Sequence, residues 1–205
     1  RPYPDNPKIE ALGIRNAYVM AQRPLHADAR FLIADTGPDK YDRLIYTRTL
    51  SWEEKTRRPV NFGWDDSEES LKRSIPDPNF PEVKDMTIFR FPETRTVTGL
   101  AFYPADGKGA IPTNQEFSEQ IFLMTLFGRT GSTEIAPGKE IWLGHMTNLF
   151  DQPRVTFKTI ITRNPAADGK LGNPIGLEVD PQTGDFFFAD ILEGKIYRVV
   201  ILERG

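Results

Sequence analysis

The sequence predicts an all-β chain, built as a β-propeller of about three four-stranded blades from a six-bladed ring, and three observations carry that prediction. Short runs rich in Ile, Val, Phe and Tyr, bounded by Gly, Pro, Asp and Asn, recur from end to end. Good amphipathic helical periodicity is missing between them. One pattern recurs three times: an apolar strand, a turn, a second strand ending in a small residue and often Asp, and a third strand.

In the first unit, Arg15-Asn16-Ala17-Tyr18-Val19-Met20 leads to Phe31-Leu32-Ile33-Ala34-Asp35 and then to Arg43-Leu44-Ile45-Tyr46. Thr87 to Phe91 serves as its outer strand. Between them, the polar stretch Asp65 to Ser74 has helical leanings and runs into Pro76, Pro78 and Pro81, the mark of a surface insertion. The second unit opens with Gly99 to Pro104, continues with Gln120 to Thr125 and closes with Val155 to Thr162. The third runs from Gly176 to Pro181, through the turn Gln182-Thr183-Gly184, to Asp185 to Asp190 and Ile196 to Leu202. The count is roughly eleven strands, four in each of the first two units and three in the last. One partial propeller over residues 1–205 results, with blades at about 13–91, 98–163 and 173–203. The last blade lacks an outer strand. A closed ring needs about four blades or more, so the open edges call for another polypeptide or a second copy to complete the propeller.

Composition narrows the function classes. Lys and Arg total 26 against 29 Asp and Glu, a net charge of −3 with no basic stripe, so nucleic acid is not an expected partner. The longest apolar runs, Ile121 to Met124 and Phe186 to Ala189, are strand-length and do not span a membrane. The absence of Cys excludes disulfides, a thiol nucleophile and Cys-ligated zinc. Only His26 and His145 offer imidazole chemistry. His26 reads as a loop residue, and His145 follows the strand Trp142-Leu143-Gly144 without a visible carboxylate to orient it. No Gly-x-Ser-x-Gly elbow or phosphate loop is present. The opening Arg1-Pro2-Tyr3-Pro4 lacks Met and a signal-like apolar region, which reads as a processed start.

Four segments then take on a specific wording: Gly13-Ile14-Arg15-Asn16, Ala34-Asp35-Thr36-Gly37-Pro38-Asp39, Asp42-Arg43-Leu44 and Asn61-Phe62-Gly63-Trp64. In this order and spacing they resemble the C-terminal half of the glucose/sorbosone dehydrogenase family, which are six-bladed propellers. Thr98 to Tyr103 resembles the family's next blade opening, and Gly176 to Val199 its last. The resemblance implies pyrroloquinoline quinone (PQQ) over the propeller axis with Ca2+, and hydride transfer from a sugar C1 to the quinone. It also implies Arg15 and Asn16 as cofactor contacts, with Thr36 and Arg129 at the places of the family's Gln and a further basic residue. The carbonyls of Gly37 and Pro38 become the Ca2+ ligands, oxygen donors suited to this hard cation. A periplasmic or extracellular location and a sugar substrate follow from the same resemblance.

The residues also carry a second reading. Where the family places Arg before its last inner strand, this chain has the neutral Leu171-Gly172-Asn173-Pro174, and Arg43 stands where an acidic residue is expected. The family's catalytic His has no counterpart here. On this reading the chain is a non-catalytic propeller subunit, an interaction or structural component of a larger assembly. Arg15-Asn16 then caps an inner strand, Gly37-Pro38 forms a turn, Asp42 accepts turn amides, and Trp64 packs between blades beside Gly63. A third reading, a lactonase-type hydrolase with an axial cation, rests on Asn16, Asn173 and Asp190.

Overall fold

The computed structural model describes residues 11–23, 30–37, 40–47, 60–64, 67, 69, 72, 86–104, 121–128, 139–147, 153–162 and 172–200. Near the start, β1 (Ala11–Leu12) pairs in parallel with β5 (Val60–Asn61). The remaining strands form three antiparallel sheets of four, four and three strands. Sheet I is β2 (Ala17–Gln22), β3 (Phe31–Asp35), β4 (Arg43–Thr47) and β6 (Thr87–Arg90). Sheet II is β7 (Val97–Phe102), β8 (Ile121–Leu126), β9 (Glu140–Thr147) and β10 (Arg154–Thr162). Sheet III is β11 (Pro174–Val179), β12 (Phe186–Asp190) and β13 (Lys195–Val199). The described residues are thus all-β, and the three antiparallel sheets carry the expected four, four and three strands, with β1 and β5 an additional pair the sequence reading did not include. Among the described residues, no helix is long and apolar enough to cross a membrane.

The sheets lie face to face with sheet II in the middle. Leu32, Leu44 and Tyr46 of sheet I meet Leu100, Phe122 and Met124 of sheet II. The opposite face of sheet II, with Ile121, Leu123 and Ile141, meets Leu177, Phe186 and Phe188 of sheet III. Burial on both faces explains why β8 reads as the nearly continuous apolar run Ile-Phe-Leu-Met-Thr-Leu, interrupted by Thr125 alone, whereas a strand covered on one side alternates. Phe157 anchors the first layer, its ring centroid 4.8 Å from that of Phe89 and 5.3 Å from that of Trp142. Such pairs add about 0.5–1.5 kcal/mol each beyond the area they bury. The first strands of the three sheets are neighbours, β7 lying against both β2 and β11.

One register is repeated in all three sheets. The first strand begins opposite the end of the second at Ala17↔Asp35, Val97↔Leu126 and Pro174↔Asp190, and a register shift follows in each case. Just beyond, the amide after the second strand donates to the carbonyl before the first: Thr36 to Asn16 at 3.0 Å, Phe127 to Thr96 at 2.9 Å and Ile191 to Asn173 at 3.2 Å. The threefold pattern in the sequence is therefore a threefold pattern in hydrogen bonding.

Several expectations change in detail. His145 lies within β9, the third strand of its sheet, rather than after a strand. The apolar contact assigned to Trp64 belongs to Phe62, which is buried with Ile33 and Ile45 on the outer face of sheet I. Trp64 is only half-buried, because its backbone amide is tied to the Gly13 carbonyl. The third strand of sheet III starts one residue early, at Lys195, and Leu202 lies outside the described residues. Most of the stretch Asp65 to Ser74 also lies outside them.

Candidate functional site

The first strands of the three sheets begin at one end of the molecule. Asp42, in the turn between β3 and β4, accepts hydrogen bonds at Oδ2 from the amides of Arg95 and Thr96 at 2.7 and 2.6 Å, fixing the start of β7 beside that turn. Thr98 Oγ1 donates to the Pro174 carbonyl at 2.7 Å, fixing the start of β11 beside that of β7. Three equivalent pairs thus share this end: Arg15-Asn16, Arg95-Thr96 and Gly172-Asn173.

Carboxylates hold each pair in place. In sheet I, Asp35 Oδ1 accepts from the Asn16 amide at 2.7 Å and Oδ2 from Arg43 Nε at 2.8 Å. Arg43 donates onward from Nη1 to the Phe62 carbonyl at 2.7 Å and from Nη2 to the Gly13 carbonyl at 2.6 Å. Gly13 has φ 67°, and a Cβ there would overlap the Asn61 side-chain oxygen that accepts from the Gly63 amide, so only glycine closes this corner. In sheet III, Asp190 accepts from the amides of Gly172 at 2.6 Å, Leu192 at 3.0 Å and Glu193 at 3.2 Å. Sheet II has Leu126 at the corresponding place, and Asp42 of sheet I supplies the missing carboxylate across the sheet boundary. Burial pushes the Asp42 carboxyl above the ordinary aspartate value, against the opposing pull of its bonds to the amides of Gly37, Thr96 and Arg95.

Arg15 Nη1 donates to the Thr36 carbonyl at 2.8 Å, so its guanidinium braces the loop after β3. Asn16 is exposed, whereas Thr36 is buried and its Oγ1 finds no hydrogen-bond partner among the described residues. The Gly37 amide donates to Asp42 Oδ1 at 2.8 Å, which is the turn-amide role expected of Asp42. Arg15, Thr36 and Gly37 therefore come together, while Pro38, Arg129 and His26 lie outside the described residues.

Reading the sequence for chemistry passed over Asp35, Arg43 and Arg95. The repeated Ala-Asp endings at Ala34-Asp35 and Ala189-Asp190 were the visible signal for the carboxylate locks. Arg95, the equivalent of Arg15, faces β9: its guanidinium carbon lies 5.4 Å from the centroid of the Trp142 ring and its Nη1 3.6 Å from Glu140.

The chain matches no family model, no curated protein and no solved structure.

A quinone bearing three carboxylates requires several cations around it. Of the three equivalent positions, only Arg15 offers one at this end. Arg95 is engaged with Trp142 and Glu140. At the third, a Cβ on Gly172 would overlap the Asp190 carboxylate, which three amides hold in place, so no side chain fits. At these three positions the described residues thus turn one cation, Arg15, toward this end. The carboxylates of Asp35, Asp42 and Asp190 all point their oxygens at N–H donors. Among the described residues, no group of three or more His, Asp or Glu is placed to hold a metal.

Proposed function

We propose that this chain is an arc of a β-propeller acting as a non-catalytic subunit, whose work is to be completed by, and to hold, other sheets of an assembly. The face-to-face stacking of three meander sheets with their first strands adjacent supports the propeller. The observation that carries the non-catalytic half is Gly172, where the Asp190 carboxylate fills the space a cationic side chain would need. The wording of Gly13 to Asn16 and Asn61 to Trp64 supports descent from a glucose/sorbosone dehydrogenase-like propeller, and with it a periplasmic or extracellular setting.

A second reading, a PQQ-dependent sugar dehydrogenase with Ca2+, draws on Arg15 and the exposed Asn16 at the same end. One assay separates the two. Purified protein is incubated with PQQ and Ca2+ and offered a panel of aldoses with a redox dye. The subunit reading expects no sugar-dependent dye reduction above the cofactor blank. Sugar-dependent reduction that disappears in Arg15→Ala would overturn it in favour of the enzyme.

A further inference from the structure

The three sheets stack by one rule: a face turned toward the next sheet meets the opposite face of that sheet. Sheet I presents Leu32, Ala34 and Leu44 in this way. In the shared register Phe187, Ala189 and Ile196 hold the same places in sheet III, since Ala34 pairs with Leu44 as Ala189 pairs with Ile196. Leu44 is wholly buried, yet Ile196 is 77% exposed. At the other end of the stack Phe62 already covers Ile33 and Ile45 of β3 and β4, and the open part of the outer face is the first strand, β2. Met20 follows Ala17 as Leu100 follows Val97 and Leu177 follows Pro174, the first residues of their strands. Leu100 and Leu177 are 5% and 6% exposed in the sheet contacts, whereas Met20 is 57% exposed, with Tyr18 open on the same face. The described residues therefore leave open the Ile196 face of sheet III and, on β2 of sheet I, the Tyr18 and Met20 surface that would meet it. The chain cannot join the two itself, because sheet II stands between.

Building on the propeller reading, we infer that a second copy of this chain covers both surfaces, the Ile196 face of each copy meeting the Met20 face of the other. Such a head-to-tail contact forms a closed ring when the rotation returns on itself. Two copies give six sheets, within the roughly four to eight of known propellers, while three copies would exceed that range. The small net charge of −3 opposes such pairing only weakly.

Sedimentation equilibrium and native mass spectrometry at micromolar concentration test this. The expected result is a species of twice the 23.3 kDa chain mass. Ile196→Asp and Met20→Asp alter exposed side chains, so each is expected to keep the far-ultraviolet circular dichroism of the parent while shifting the species to monomer. Mixing the two variants is expected to restore dimer, because one of the two contacts in the mixed pair carries neither substitution. A monomeric parent, or a dimer that both variants leave intact, overturns the inference. The dye assay above is independent: quinone-linked activity in a dimer would overturn the non-catalytic reading and leave the pairing standing.

Discussion

Asp35 and Arg43 form an ion pair with no solvent exposure at either side chain, Nε to Oδ2 at 2.8 Å. The guanidinium also holds two backbone carbonyls, of Gly13 and Phe62, so one side chain joins β3, β4 and the segments beside β1 and β5. Removing one partner of a buried pair leaves the other charge uncompensated, at a cost of about 3–5 kcal/mol. Arg43→Met is therefore expected to lose stability in that range in urea unfolding. Asp35→Asn with Arg43→Met together is expected to recover part of the loss, since no lone charge then remains.

Asp42 sets a pH dependence. Its carboxyl is raised above the ordinary 3.8 because burial outweighs the amide bonds. Between 3.8 and the raised value, the folded chain keeps a proton that the unfolded chain has released. The stabilisation linked to this group is complete below 3.8 and is lost as pH rises through the folded pKa. Unfolding of the parent and of Asp42→Asn across that range checks the sign. The difference in stability, parent minus variant, is expected to fall with rising pH and then level off; a rising difference contradicts the assignment.

Gly172→Ala is expected to destabilise the chain by about 1–3 kcal/mol, the usual cost of forcing an extra group into filled space. The Asp190 carboxylate cannot swing aside without releasing the amides of Leu192 and Glu193. Thermal unfolding followed by circular dichroism reads the effect, and an unchanged midpoint would mean that Asp190 yields freely.

Thr98 links sheets II and III through the Pro174 carbonyl and lies 3.1 Å from Thr125 Oγ1. Thr98→Val keeps the shape but leaves a buried carbonyl without this donor, for an expected loss of about 1–3 kcal/mol. Urea unfolding of the variant checks it.

Much of the fold was legible because burial writes itself into local pattern. Ile121 to Leu126 is apolar on both faces since two sheets cover it, and Phe186 to Asp190 ends in Ala-Asp as Phe31 to Asp35 does. What was not legible depends on partners distant in sequence. Arg43 read as a departure from an acidic motif position, yet it becomes the centre of a buried network through residues 30 and 19 positions away. Phe62 rather than Trp64 fills the outer face of sheet I, a choice set by the positive φ of Gly13 and Gly63 and the bond from the Trp64 amide. The interior of β9 hid His145 because Gly144 and the polar Thr147 break its alternation. At the candidate site, the repeated Ala-Asp endings were visible in the sequence but their role as carboxylate locks was not, because the amides and the guanidinium they hold lie far along the chain, and the closure at Gly172 likewise needed the third dimension.

Calorimetric titration of the protein with PQQ in the presence of Ca2+ tests the central claim most directly. The account predicts no saturable binding, because Arg15 is the one cation its three equivalent positions present at that end. Stoichiometric binding at micromolar affinity, lost in Arg15→Ala, would contradict it.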